Sequence, residues 1–220
     1  MISVSDLLIN DRLPANYYAS DVYVRGDLEM GLLESRRGDR LLSLPETLIQ
    51  AIYAGLDKET GQASRLVLFN CGRWWGKNFI NRFRDEVSDY YGTPMVEMQM
   101  AEFLQALKQC WITYGLGKLS LDQTYHDRGF LIVETQYSPF ARLATDAQLP
   151  SCFLESGMLS SIFSQLAGRD LHCVQTRCES MGADRNLFVI GLQKRLEPAE
   201  VLVEKQLDHE SILPRLFSTR

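Results

Sequence analysis

What the sequence has little of narrows its class first. Across 220 residues no apolar run approaches the roughly 18 needed to span a bilayer. Met1-Ile2-Ser3-Val4-Ser5-Asp6 shows no basic stretch leading into an apolar one. Neither a membrane span nor a secretory signal is expected, and the setting read from the sequence is cytoplasmic. The five cysteines, at positions 71, 110, 152, 173 and 178, are odd in number and lack the spacing of a secreted disulfide framework, so reduced thiols are expected. Positive charge is also short: the net charge is −5 and no basic stripe alternates with aromatics, which argues against a nucleic-acid partner. Arg36, Arg37 and Arg40 are interrupted by Gly38 and Asp39 and read as a solvated turn, and Arg25-Gly26-Asp27 reads as another turn. No Gly-x-Gly-x-x-Gly, Walker loop, Gly-x-Ser-x-Gly or His-Glu-x-x-His occurs, so the familiar nucleotide, nucleophile-elbow and zincin signatures are missing.

What is present suffices for a packed core: 45% of residues are hydrophobic and 23% charged. Residues 1 to about 20 read as an irregular arm with Leu7, Leu8 and Leu13 as anchors, followed by strand-like runs at 21–24 and 30–34. Pro45 opens a helix in which Leu48, Ile49, Ile52 and Leu56 recur at helical spacing up to Gly61. Leu66-Val67-Leu68-Phe69 is short and apolar, which suits a buried strand, with Asn70-Cys71-Gly72 turning into a second helix. That helix places Trp75, Phe79, Ile80, Phe83 and Val87 three or four apart. A third carries Met100, Phe103, Leu104, Leu107, Trp111 and Tyr114, and stops at Gly115 and Gly117. Strands are predicted at 118–124 and 129–136, a loop at 137–151, and a fourth helix through Met158, Leu159, Ile162, Phe163 and Leu166 to Gly168. Strands near 171–179 and 187–193, a polar helix from Pro198 to about Leu207, and a frayed tail complete the pattern. The predicted class is α+β, a single domain with an antiparallel sheet and helices packed mainly on one face.

The most distinctive stretch runs from Cys152 to Gly191. It holds Cys152-Phe153-Leu154-Glu155-Ser156-Gly157, an amphipathic helix, Leu166-Ala167-Gly168-Arg169, Val174-Gln175-Thr176-Arg177-Cys178, Met181-Gly182 and Leu187-Phe188-Val189-Ile190. This resembles the 4-vinyl-reductase-like domain, found in bacteriochlorophyll-biosynthesis proteins, in the sensor halves of aromatic-responsive transcription activators and in cyanobacterial proteins. Gly72-Arg73-Trp74-Trp75-Gly76, read as a turn before an aromatic helix, fits the same family's middle region. The resemblance covers roughly residues 45–195, leaving 1–44 as an arm and hairpin and 196–220 as a helix and tail. It implies a fold related to trafficking-protein-particle subunits, which hold an acyl chain in an apolar tunnel, and it implies a homodimer.

In the sensor members the C-terminal stretch supplies a zinc site: a cysteine before the helix, then a glutamate, a cysteine three residues later and a cysteine eight beyond that. Thiolates and a carboxylate give Zn²⁺ a closed tetrahedron. The corresponding positions here are Cys152, Gln175, Cys178 and Asn186. Two thiols survive and two ligands have become neutral amides, so the expectation is a lost metal, with the amides hydrogen-bonded to each other in its place. His172 and Cys173 are the nearby replacements, and strand alternation lets at most one of them share the face of Gln175.

Trp74, Trp75, Phe79, Phe83, Trp111, Tyr114 and Phe130 are the candidate lining of a pocket for a flat apolar ligand. The plainer reading, weighed beside it, is that each is simply core. A helix cannot bury both Trp74 and Trp75 in one direction, so one of them faces a cavity, a partner or solvent. His126 with Tyr125 and Asp127 is a candidate for acid–base chemistry that reads better as a surface pair, and His209 reads as solvated in the tail. Taken together, the chain reads as a non-enzymatic module that holds an apolar small molecule, a tetrapyrrole being one such guest, or docks a partner protein. The cyanobacterial relatives imply a place in photosystem or pigment–protein assembly, peripheral to the thylakoid membrane. The alternatives are a reductase acting on a vinyl group of a chlorophyll precursor, which would need a hydride donor, and a small-molecule sensor domain.

Overall fold

The computed structural model describes residues 16–27, 29–141 and 147–218. The proposed anchors Leu7, Leu8 and Leu13 lie outside them. The chain forms α+β structure in two compact units, one of residues 1–43 and 83–115, the other of 44–82 and 116–220. One of the three boundaries, between residues 82 and 83, falls inside a continuous helix, where no linker composition marks it.

The smaller unit begins with a short helix, α1 (Ser20–Tyr23), where the sequence suggested a strand. A three-stranded antiparallel ribbon follows, β1 (Arg25–Asp27), β2 (Leu32–Glu34) and β3 (Arg40–Leu41). Arg25-Gly26-Asp27 is therefore a strand and not a turn; the reversal comes after it, with Asp27 Oδ1 accepting from the backbone N–H of Glu29 and Met30. Nor are the arginines merely solvated. Arg36 lies over the rings of Tyr17 and Tyr90, and Arg37 pairs with Asp89. Glu86 is buried and accepts from the hydroxyls of Tyr18 (2.9 Å) and Tyr23 (3.0 Å), which fastens the start of the described chain to this unit. Burial and the adjoining carboxylate push both phenols upward.

The larger unit opens with α2 (Glu46–Thr60), as the helical spacing predicted. The apolar run at 66–69 is not a strand. It lies within α3 (Ala63–Tyr91), a 29-residue helix that enters the smaller unit from Phe83 on. Periodicity explains this: Leu68, Gly72, Gly76, Phe79, Ile80, Phe83 and Val87 fall on one buried stripe, whereas Leu66 and Val67 point to solvent. Asn70-Cys71-Gly72 is likewise helical, and so is the whole of Gly72–Gly76. Their glycines serve a helix crossing. A Cβ on Gly72 would sit 2.0 Å from the carbonyl oxygen of Leu154, one on Gly76 2.5 Å from that of Met158, and one on Gly157 1.9 Å from that of Phe69. The partner in that crossing is α5 (Phe153–Ala167), reached after α4 (Met100–Thr113) of the smaller unit.

A four-stranded antiparallel sheet completes the larger unit, in the order β4-β5-β7-β6, with β4 at Lys118–Asp122, β5 at Leu131–Gln136, β6 at His172–Arg177 and β7 at Asn186–Gly191. Helix α5 is buried from Glu155 to Phe163, as expected of a helix between α3 and the sheet. The residues predicted to be a polar helix and frayed tail form α6 (Gln193–Glu204) and α7 (His209–Ser218). Leu196, Ala199, Ile212, Leu213 and Leu216 close over Phe130, Ile132, Val174, Leu187 and Val189 in one cluster. Leu-Pro-Arg-Leu-Phe at 213–217 is helical even though Pro214 stands inside α7 and removes one backbone donor there. His209 is therefore buried, not solvated; its Nδ1 lies 2.6 Å from Thr176 Oγ1, and burial lowers its basicity.

Candidate functional site

Strand alternation divides β6 between two environments. Val174 and Thr176 point to the cluster beneath α6 and α7, while Cys173 and Gln175 point toward α5. Cys152 stands just ahead of α5 and Cys178 just past β6, where the register slips between Gln175 and Arg177. The four positions singled out in the sequence, Cys152, Gln175, Cys178 and Asn186, are thereby brought together and buried. The two sulfurs lie 3.6 Å apart. Gln175 donates from Nε2 to Asn186 Oδ1 at 3.2 Å and accepts at Oε1 from the backbone N–H of Cys152 at 3.0 Å. Asn186 Oδ1 also accepts from the backbone N–H of Glu179 at 2.9 Å, and its Nδ2 donates to Glu179 Oε2 at 2.8 Å.

Zinc does not fit this arrangement. Both amide oxygens, the only atoms by which Gln175 and Asn186 could ligate, already accept backbone or side-chain donors, and a neutral amide is a poor partner for Zn²⁺. The remaining thiols are two ligands of a tetrahedron. Among the described residues no group of three or more His, Cys, Asp or Glu side chains is disposed to hold a metal ion. Cys173 does share the face of Gln175, whereas His172 turns to α6, with Nε2 2.8 Å from Glu200 Oε1.

The two thiols differ in their surroundings. Hydrogen bonds from Cys152, Ser180 and nearby backbone N–H groups lower Cys178 to about 5, while burial raises Cys152. A further acid was overlooked in the sequence reading. Glu155, in the first turn of α5, is fully buried, and loss of solvent pushes its carboxyl up to about 8 despite the hydrogen bond from Ser138 Oγ at 2.7 Å. Among the described residues its Oε1 has no hydrogen-bond partner. The available signal was its place in Cys-x-x-Glu, which puts it one turn beyond Cys152 on an otherwise apolar and small-residue helix.

Beside this cluster lies a cavity of about 460 Å³, lined by the start of α3, the start of α5, β6 and α6. Leu66, Phe69, Leu149, Pro150, Phe153, Val174 and Val203 supply apolar surface, and Arg65, Arg73, His172, Gln175, Glu200 and Glu204 supply polar groups. The Phe69 ring stands 5.1 Å from His172, and the Arg65 guanidinium lies 5.6 Å from the centre of Phe153. The lining is mixed, apolar faces standing beside charged and amide groups. A more open groove of about 620 Å³ runs past Arg73, Trp74, Lys77, Arg169 and Asp170.

The seven aromatics of the sequence reading are placed as follows. Trp74 is 75% exposed and borders the open groove, while Trp75 is half-buried, edge-on to Phe140 at 5.7 Å. Phe79 is buried in α3. In the smaller unit Phe83 stacks on Tyr18 at 5.8 Å, Trp111 is fully buried, and the Tyr114 hydroxyl is 2.8 Å from that of Tyr23. Phe130 belongs to the cluster under α6 and α7, with the Arg195 guanidinium 4.4 Å from its ring centre. Trp74 and Phe130 share no lining. His126 is exposed beside Asp127 at 2.9 Å.

Residues 131–192 match the family model of the V4R domain, and all four cluster positions fall within that match. The phenol-responsive sensory domain of the transcription activator PoxR, solved with phenol, aligns over 86% of this chain and 96% of its own at 14% identity and a TM-score of 0.63, which establishes a shared fold. A vinyl-4-reductase family protein from Methanocaldococcus jannaschii aligns over 68% of this chain and 82% of its own, at 13% identity and a TM-score of 0.43. A trafficking protein particle complex subunit 3 from Naegleria fowleri, covalently bound to palmitic acid, aligns over 67% and 94%, at 14% identity and a TM-score of 0.49. No curated protein sequence matches the chain. Among the described residues no helix is long and apolar enough to cross a membrane.

Proposed function

We propose that this chain binds a small aromatic molecule in the cavity between α3, α5, β6 and α6. The single observation behind the reading is that cavity's size and mixed lining, about 460 Å³ with Phe69 and Phe153 flanked by Arg65, His172 and Glu200. An interior of this volume falls in the range of ordinary ligand sites. The rings supply faces for a flat guest, and Arg65 and His172 favour one bearing a hydroxyl or carboxylate. Phenol, the molecule named with the PoxR sensory domain, is the first probe. A tetrapyrrole is the larger guest that the same reading admits. Calorimetric titration with phenol, benzoate and a porphyrin tests the proposal, Arg65→Ala serving as the control. Saturable binding of one probe, weakened tenfold or more in the variant, supports the reading; heats that are non-saturable for all three refute it.

A second reading, docking of a partner protein, is favoured by the apolar outer face of α3, where Leu66 (63% exposed) and Trp74 lie two turns apart. Under that reading the partner is a second copy of the chain or a membrane-peripheral pigment–protein complex. Light scattering of the wild type and of Leu66→Asp separates the copy from the foreign partner.

A further inference from the structure

We propose that Cys152 and Cys178 form a reversible disulfide, a covalent latch where the family resemblance places a metal. Their sulfurs are 3.6 Å apart, against about 2.05 Å in a formed bond. Each residue stands at an element boundary, Cys152 before α5 and Cys178 after β6, so the chain can close that gap without breaking a helix turn or a ladder pair. Of the other thiols, Cys71 is exposed on α3, Cys110 is buried in α4, and Cys173 lies within β6. Gln175 and Asn186 fix the pair's surroundings by bonding each other and the backbone N–H groups of Cys152 and Glu179.

Cys178 is the attacking sulfur. The hydroxyl of Ser180 lies 2.9 Å from its Sγ, and that of Ser151 lies 3.7 Å from it. Ser151 also lines a separate cavity of about 410 Å³, the side from which a small oxidant would approach this buried sulfur. With hydrogen peroxide as oxidant, Cys178 sulfur attacks the O–O bond. An S–O bond forms, and the departing hydroxide takes the thiol proton as water. Cys152 sulfur then displaces the second hydroxide from the Cys178 sulfenic acid, and its own proton completes a second water. Two thiols lose two electrons and two protons, and one peroxide becomes two waters. A dithiol reductant reverses the bond by exchange.

The test uses the whole chain in a Cys71→Ser background, reduced and then exposed to hydrogen peroxide. Remaining thiols are alkylated under denaturing conditions before trypsin digestion. The expected product joins the peptide 143–169, which holds Cys152, to 178–185, which holds Cys178. Dithiothreitol separates the two peptides, and the oxidised protein melts several degrees above the reduced one. Cys152→Ser abolishes both the link and the melting shift. The proposal is overturned if Cys152 and Cys178 both remain alkylatable at peroxide levels that fully oxidise Cys71 in the wild type. It is equally overturned if Cys178 links to Cys173 or to another chain, or if a co-purifying zinc ion protects the pair.

Discussion

Replacing Glu155 by Gln should change how the stability of this protein responds to pH. The carboxyl is fully buried and shifted from 4.5 to about 8, chiefly by loss of solvent. Between those two values the folded chain holds a proton at Glu155 that the unfolded chain releases, so its contribution to stability is complete below pH 4.5 and lost as pH rises to about 8. At 1.36 kcal/mol per unit the span amounts to roughly 4 to 5 kcal/mol. Glutamine keeps the shape, can accept from Ser138 as the carboxyl does, and cannot ionise. Cys178, lowered from 9.0 to about 5, works in the opposite sense over nearly the same interval, so the wild-type profile alone is flatter than either group would make it. The difference between the two proteins removes most of that background, Cys178 being itself one of the lesser influences that raise Glu155. Urea unfolding of wild type and Glu155→Gln at intervals from pH 4.5 to 9 should therefore show a stability difference that moves in favour of the variant by several kcal/mol and levels off near pH 8. A difference that does not vary with pH would mean that Glu155 is solvated or paired in solution, and the burial argument would be wrong.

Two further outcomes follow from the same unit. Gly157→Ala sets a β-carbon 1.9 Å from the carbonyl oxygen of Phe69, and the two helices must part. The loss should exceed the usual 1–3 kcal/mol (about that range) of overpacking, read as a fall in the urea midpoint. Gln175→Glu combined with Asn186→Cys recreates the ligand set of the family's sensor members beside Cys152 and Cys178. That double variant should take up about one zinc per chain by elemental analysis, with cobalt substitution giving tetrahedral absorption bands, whereas the wild type should not.

Elements whose apolar spacing ran unbroken to a glycine were legible in the sequence. Leu48–Leu56, Met100–Thr113 and Met158–Leu166 are helices, and 118–122, 131–136, 172–177 and 186–191 are strands. Leu66–Phe69 misled because four apolar neighbours carry no period by themselves, and Gly72 was read for turn propensity when its role is the absence of a side chain. The C-terminal helix was read as a frayed tail, although Ile212, Leu213 and Leu216 already sat on one helical stripe. The convergence of Cys152, Gln175, Cys178 and Asn186 was legible through family resemblance alone, since nothing in their spacing specifies it. Glu155 and the cavity were not legible, because each depends on which faces of α3, α5, β6 and α6 come together.

The glycine crossing of α3 and α5 limits how this domain can move. With carbonyl oxygens of Phe69, Leu154 and Met158 filling the space of the missing β-carbons, neither rod can slide lengthwise without driving a carbonyl into the next side chain. Rocking about the point of touch remains open. The crossing therefore fixes the register of α3 against α5, and with it the places of Phe69 and Phe153 on the cavity wall.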